Sequence, residues 1–531
     1  MRYKVTALVF VIAAILSLNM SAQDAALYRK YADKGDKEAM CQLGDCYFSG
    51  TGGVEKNLTA ALLWYEKAAK KGLVQAQYSA AYCYFYGLGT SEHFSIHGAE
   101  YLNKALKKGY APAYWLSAQD WKAKKIYGLY VSTLKNAAQL NYAKAQSEYG
   151  FLYLYGVQEY GITRDVSTGL FWIKEAAERN DPEGLYYLGL CYDSANGVEH
   201  NHTKALEYFN KAAQLGQPEA QAEVGLSYLT GDGVEVDYPT AYQYFASAAE
   251  QGNIFAYSQI GDMYYFGLGT EVNFSTAKEM YEVAANSNDA YSMCQLARIY
   301  GYGLGTTEDK DKMFQYFKKA ADAGNSYGQA GLGDCYMNGY GVAQNPYSAF
   351  FWYDKAASQN NPVAQYCLAY CFCNGTGTKK DLAAFVLALE KAAESGYIRA
   401  KSALAQEYYS GSNIPSGQNV AKAMKWFTEA AKDGDALSES ILGYSYYTGT
   451  ELCTVKDYTK SIDYLLRAVS NRDFENQVDF VKSQVYRALA GSYRYGRGCE
   501  ADQSLASYYT EKAAQYGDTG SKRATSLIRR E

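Results

Sequence analysis

The chain has 531 residues, a net charge of −5, 48 Gly, 7 Pro, 11 Cys and 56 Tyr. The mild acidity argues against a nucleic-acid partner, which calls for a basic face. The length would allow several ordinary domains, but the internal periodicity described below replaces that count with an array of units that pack only on their neighbours.

At the N-terminus, Arg2 and Lys4 precede an apolar run from Val5 to Leu18, followed by Asn19-Met20-Ser21-Ala22-Gln23. This predicts a secretory signal over residues 1–22, cleaved near Ala22 and too short for a comfortable membrane span. Met20 is bulkier than is usual at that offset, and an uncleaved anchor is the alternative. No later stretch is apolar enough to span a membrane. The mature chain is therefore expected to be exported, periplasmic or secreted, with no transmembrane span.

Residues 23–38 read as a capping helix, the second half of a unit without its first. Residues 39–517 read as a solenoid of about thirteen units, and 518–531 as a basic tail with Lys522, Arg523, Arg529 and Arg530. The first full unit places Ala39, Leu43 and Tyr47 on one helix face. Its second helix carries Ala60, Ala61, Trp64, Tyr65, Ala68 and Ala69 and closes at Gly72. Residues 89–99 form an extended loop with His93 and His97, and residues 111–141 a degenerate unit without Gly-x-Gly. From residue 176 the pattern is strict. Ala-Ala pairs begin at Ala176, Ala212, Ala248, Ala284, Ala320, Ala356 and Ala392, a step of 36 residues. Asn201, Asp237, Asn273, Asp309, Asn345 and Asp381 keep that step and are placed to cap second helices. Gly216, Gly252, Gly324 and Gly396 end them, and Asn288 and Asn360 suit the same left-handed geometry. Further insertions lie at 411–420 and 470–483, and the last full unit spans about 484–517.

The pattern A-x-x-x-L-G-x-x-Y-x-x-G-x-G-V-x-x-(D/N), then A-x-x-(Y/W)-(Y/F)-x-K-A-A-x-x-G, resembles the Sel-one-like repeat, a relative of the tetratricopeptide repeat. Ala220, Val224-Gly225, Tyr228, Gly231, Gly233-Val234, Asp237, Ala241, Tyr244-Phe245, Ala248-Ala249 and Gly252 match it almost throughout. The resemblance covers roughly residues 25–525. It implies an all-α fold, a right-handed superhelical solenoid of about thirteen antiparallel helix pairs. It also implies an adaptor that assembles protein complexes. The family's secreted cysteine-rich branch pairs a Cys at the end of helix two with one in the next helix one. Here Ala69, Ala213 and Ala249 occupy the first of those places, so that scheme is not implied. Cys46, Cys83, Cys191, Cys335 and Cys371 share a slot held elsewhere by Ser227, Met263 and Ile299, which reads as a buried site with free thiols.

Counting from the repeat Leu, positions −2, +2 and +5 lie opposite the core stripe of helix one at about 100° per residue. By the resemblance to tetratricopeptide arrays, that side lines the concave groove. The candidate partner-binding residues there are Tyr78, Tyr82, Tyr186, Leu190, Asp262, Tyr265, Arg298, Asp334, Tyr366, Tyr370, Tyr409, Tyr444 and Tyr447. Tyrosine supplies contact area with a polar handle, and Asp45, Asp262, Arg298 and Asp334 would give orientation. The competing reading is that curvature packs these rings against neighbouring repeats.

Other chemistry finds little support. His93/His97 and His200/His202 lack a third ligand nearby and read as polar loop residues. The Gly-x-Gly loops follow helices and lack Gly-Lys-Ser/Thr, so they are not phosphate cradles. No nucleophile elbow or carboxylate pair stands out. The expectation is a non-enzymatic, cofactor-free, exported adaptor for a peptide or protein partner. The alternatives are an envelope hydrolase and a secreted host-interaction factor on the same scaffold.

Overall fold

The computed structural model describes residues 24–92 and 95–517. The predicted signal over 1–22, His93 and the tail over 518–531 lie outside them. Among the described residues there are twenty-seven α-helices and no sheet, only an isolated bridge between Val157 and Ile162. A leading helix, Asp24–Ala32, is followed by thirteen helix pairs, as an all-α superhelical solenoid requires. The helices fall into two compact units divided after Ala284.

One repeat shows why each element forms. Gln217 caps helix Pro218–Thr230 by accepting from the Ala220 amide at 2.6 Å, and Pro218 suits the first turn because its missing N–H would be orphaned anyway. Gly231 ends that helix at φ 78°, a left-handed conformation that side chains with a Cβ resist. Asp237 then caps helix Tyr238–Glu250 through the Thr240 amide. Ala220 and Val224 are buried with Phe209, Ala212 and Ala213 of the preceding helix, whereas Ala222 packs with Ala241, Phe245, Ala248 and Ala249. Gly225 lets the second helix close in, because a Cβ there would lie 2.9 Å from the Phe245 ring.

The periodic features act as the sequence predicts. Asn201, Asp309, Asn345 and Asp381 cap their helices. Asn288 and Asn360 take φ of 66° and 60°, the role glycine plays elsewhere. A further device joins one repeat to the next. Gln77, Gln146 and Gln221 each donate from the side-chain amide to a carbonyl in the last turn of the preceding helix, Ala69, Ala138 and Ala213, at 3.3, 3.1 and 3.3 Å. Each of those carbonyls also accepts from an amide of the closing turn, Gly72, Asn141 or Gly216, so the glutamine adds a bond across to the next repeat.

The degenerate stretch remains a helix pair, Ala111–Ala123 and Tyr127–Gln139. A tight turn through Lys125 at φ 59° replaces the Gly-x-Gly loop. The carboxylate of Glu148 in the following helix holds it: Trp115 Nε1, Gln119 Nε2, Lys122 Nζ and the Tyr130 hydroxyl all donate to it, at 2.9, 2.8, 3.0 and 2.8 Å. In the second unit, the insertion over 470–483 forms a short 3₁₀ turn, Arg472–Asn476, that buries Phe474. It also starts the next helix early, at Asp479.

All eleven cysteines are free, nine buried and Cys367 and Cys499 partly so. Burial pushes the Cys83 thiol up to about 12 and Cys46 up to about 11, so neither supplies thiolate near neutral pH. No described helix is long and apolar enough to cross a membrane.

Candidate interaction groove

The acidic residues expected to orient a partner have partners inside their own repeats. Tyr65 donates to Asp45 at 2.7 Å, Tyr281 to Asp262 at 2.6 Å and Tyr353 to Asp334 at 2.6 Å. In each case the tyrosine stands on the second helix, three residues before the Ala-Ala pair. Where that slot holds Phe209, Phe245 or Phe317, the facing position holds Leu190, Leu226 or Arg298. Burial raises the Asp45 carboxyl to about 6, against the lowering effect of the Tyr65 hydrogen bond, and raises Asp334 in the same way. The adjoining glycines make room for the rings. A Cβ at Gly44, Gly261 or Gly333 would lie 2.6 Å from Tyr65, Tyr281 or Tyr353.

In the first unit most candidate aromatics are packed together. Tyr82 is 6% exposed, with ring centroids 6.0 Å from Tyr78 and 4.6 Å from Tyr86. Tyr78 also meets Tyr110 at 5.6 Å. Leu190 packs half-buried on the core, and Tyr186 lies 5.8 Å from Phe209. Half-buried Tyr265 lies 5.2 Å from Phe274. For Tyr78 and Tyr82 the packing account of the tyrosines describes the geometry well.

The remaining candidates lie in the second unit. Arg298 is exposed, 3.4 Å from Gln295. Tyr444 accepts from Arg487 and Tyr447 from Arg497, both at 3.0 Å, and Tyr409 is half-buried. Tyr366 and Tyr370 sit one helical turn apart, centroids 5.0 Å, with Tyr366 edge-on to Tyr397 at 5.4 Å. Cavities open on both sides of this pair. One, of 360 Å³, has Met337, Tyr353, Cys367 and Cys371 in its wall. The other, of 280 Å³, has Arg399, Ser402, Gln406 and Asp435. Tyr366 and Tyr370 line both, which brings together two predicted residues from one helix and the helices on either side.

The cavity walls include positions −1 and −5, represented by Cys367, Ala403, Arg399 and Leu437, which the −2, +2, +5 reading omits. At about 100° per residue these positions border the predicted arc, so a wider arc would have included them. They also bring in Glu183, Tyr187, Glu219 and Glu223 of the first unit.

Of the histidines, His202 bridges Asp193 at 2.9 Å and the Asp232 carboxylate at 3.4 Å, tying one loop to the next. His97 lies 3.3 Å from Glu92. Among the described residues no group of three or more His, Cys, Asp or Glu is placed to hold a metal ion.

These features define an all-α helical repeat solenoid. The Sel1 repeat model matches twelve segments: 37–73, 74–110, 143–181, 182–217, 218–253, 254–289, 290–325, 326–361, 362–397, 398–435, 436–473 and 483–518. The chain belongs to the Sel1 repeat family, whose members are in general non-catalytic protein-interaction scaffolds. The helix pair over 111–141 falls between matched segments, consistent with its lost loop glycines. Among solved structures, the chain is similar to a protective antigen of uropathogenic Escherichia coli displaying an SLR fold. Identity is 24%, coverage 96% of this chain and 97% of that one, and the TM-score 0.49. It is also similar to a Sel1 repeat protein from Oxalobacter formigenes, at 27% identity over 46% of this chain and 96% of that one, with a TM-score of 0.42. No curated protein matches the chain.

Proposed function

We propose that this protein is an exported adaptor that binds a peptide or protein segment along its first-helix groove, with the Tyr366–Tyr370 pair as its principal contact. The carrying observation is the position of that ring pair between two open cavities, one walled mainly by apolar and sulfur side chains and one by polar groups. Half-buried tyrosines beside recesses can take side chains of a partner into those recesses, the arrangement that interface hot spots favour. Export is supported by the charged and apolar pattern over residues 1–22.

The test is cross-linked affinity capture from envelope extract and culture medium. The bait is the chain alongside a Tyr366→Ala/Tyr370→Ala variant whose circular dichroism and melting match the parent. The expected result is a protein captured by the parent and lost from the variant. Equal capture by both would place the contact elsewhere and defeat the reading of this site.

A further inference from the structure

Resting on the reading of the first-helix face as a binding groove, we propose that the first unit carries a second recognition segment there, around Glu183, Glu219 and Glu223. Its occupant would be a cationic polypeptide segment presenting Lys or Arg at every third residue.

The charge on this stretch is uneven. Lys144, Asp181, Glu183, Glu219 and Glu223 amount to one cation against four carboxylates. Two of the five are already engaged. The Lys144 amine stands 4.5 Å over the Trp115 ring, and Asp181 caps a helix through the Gly184 amide at 2.9 Å. Glu148, though close in sequence to Lys144, is satisfied by its four donors and adds no free charge. Among the described residues no ion pair within 4.0 Å joins Glu183, Glu219 or Glu223 to a Lys or Arg, and Lys144, which also acts on Glu183, is one cation against the four carboxylates. Glu219 is exposed and accepts only from the neighbouring Gln217 amide at 2.6 Å, while Glu183 and Glu223 are half-buried with access to solvent. Burial first, then Asp181, raises the Glu183 carboxyl to about 7 against the lowering effect of Lys144, and burial and then Asp193 raise Glu223. A cation brought to them would relieve that cost.

The aromatic setting suits the same occupant. Phe151 and Tyr187 meet at 5.1 Å, and Tyr187 and Tyr186 at 5.6 Å; Tyr187 lies within electrostatic reach of Glu183 and Glu219, and Tyr186 of Glu219 and Glu223. Ring faces and carboxylates together hold ammonium or guanidinium groups and the alkyl stems that bear them. In the second unit the equivalent −5 and −1 positions read Tyr291/Gln295, Tyr327/Gly331, Val363/Cys367 and Arg399/Ala403, none of them acidic.

The spacing follows from geometry. Glu183 and Glu219 occupy the same position in successive repeats, 36 residues apart. Neighbouring helices pack at about 8–10 Å. A polyproline-type extended segment returns to the same side every three residues, a rise of about 9 Å. Cations three residues apart on such a segment would therefore face carboxylates one repeat apart.

The experiment is fluorescence anisotropy with the purified chain and labelled peptides. The probes are five Lys-Pro-Ala triplets, the same peptide with Glu in place of Lys, and one with Lys at every fourth residue. The Lys-Pro-Ala peptide is expected to bind, to weaken as salt screens the contact, and to lose about tenfold in affinity to Glu183→Gln/Glu219→Gln/Glu223→Gln, a change of about 1.4 kcal/mol. The Glu peptide should not bind, and the four-residue spacing should bind more weakly. The Tyr366→Ala/Tyr370→Ala variant should retain the peptide, which separates this segment from the site proposed above. No binding, equal binding by the Gln variant at matched melting temperature, or equal binding of the Glu peptide would overturn the proposal. Equal binding at four-residue spacing would overturn the stated register.

Discussion

The hydroxyl of Tyr353 donates to Oδ1 of Asp334 at 2.6 Å, from the second helix of a repeat back to its first. The same pair recurs as Tyr65–Asp45 and Tyr281–Asp262. At this pair of positions, among the thirteen helix pairs, acid and tyrosine occur only together. A buried phenol needs an acceptor, and a phenylalanine in its place leaves nothing to satisfy.

This coupling predicts a specific mutational pattern. Tyr353 is 2% exposed. Asp334→Leu alone strands its hydroxyl, and Tyr353→Phe alone strands the carboxylate; each should cost about 1–3 kcal/mol. The double variant copies the Leu226–Phe245 pair and should regain most of the loss. A double-mutant cycle of melting temperatures reads the coupling, and additive losses would show that the two residues act independently.

The same pair in the first repeat should make stability fall with rising pH. Burial holds the Asp45 carboxyl at about 6 in the folded protein, above its ordinary 3.8. The folded state therefore keeps this proton to higher pH than the unfolded state does. The resulting contribution is fully present below about pH 4 and is lost as pH rises to about 6. Asp45→Asn leaves Tyr65 an acceptor without the charge. Its melting temperature should exceed the parent's at pH 7.5, by an equivalent of at most about 3 kcal/mol, with the gap closing near pH 4. A gap independent of pH would refute the assignment.

Glu148 should decide whether the helix pair over 111–141 stays docked. Glu148→Ala removes the acceptor for an indole, an amide, an ammonium and a phenol. Hydrogen exchange should accelerate most across helices Ala111–Ala123 and Tyr127–Gln139, with smaller changes in repeats further along the chain. A change spread evenly along the chain, or none, would remove Glu148 from that role.

Much of this architecture is local, and the sequence alone determined it. The 36-residue step, the Asn and Asp caps, the closing glycines and the Ala-Ala pairs follow from helix geometry and from contacts within a repeat of fixed register. Even the left-handed Asn288 and Asn360 were legible, because few residues other than glycine tolerate that backbone. Tertiary structure decided which outward-facing side chains are free. Tyr78 and Tyr366 share the −2 position, yet Tyr78 joins a packed cluster whereas Tyr366 borders two cavities. Asp45, Asp262 and Asp334 sit on the predicted arc, but their hydrogen-bond partners stand about twenty residues away on the second helix. The physical reason is reach. A helical wheel fixes the direction of a side chain, whereas its burial and bonding depend on what the opposing helix and the next repeat place within a few ångströms.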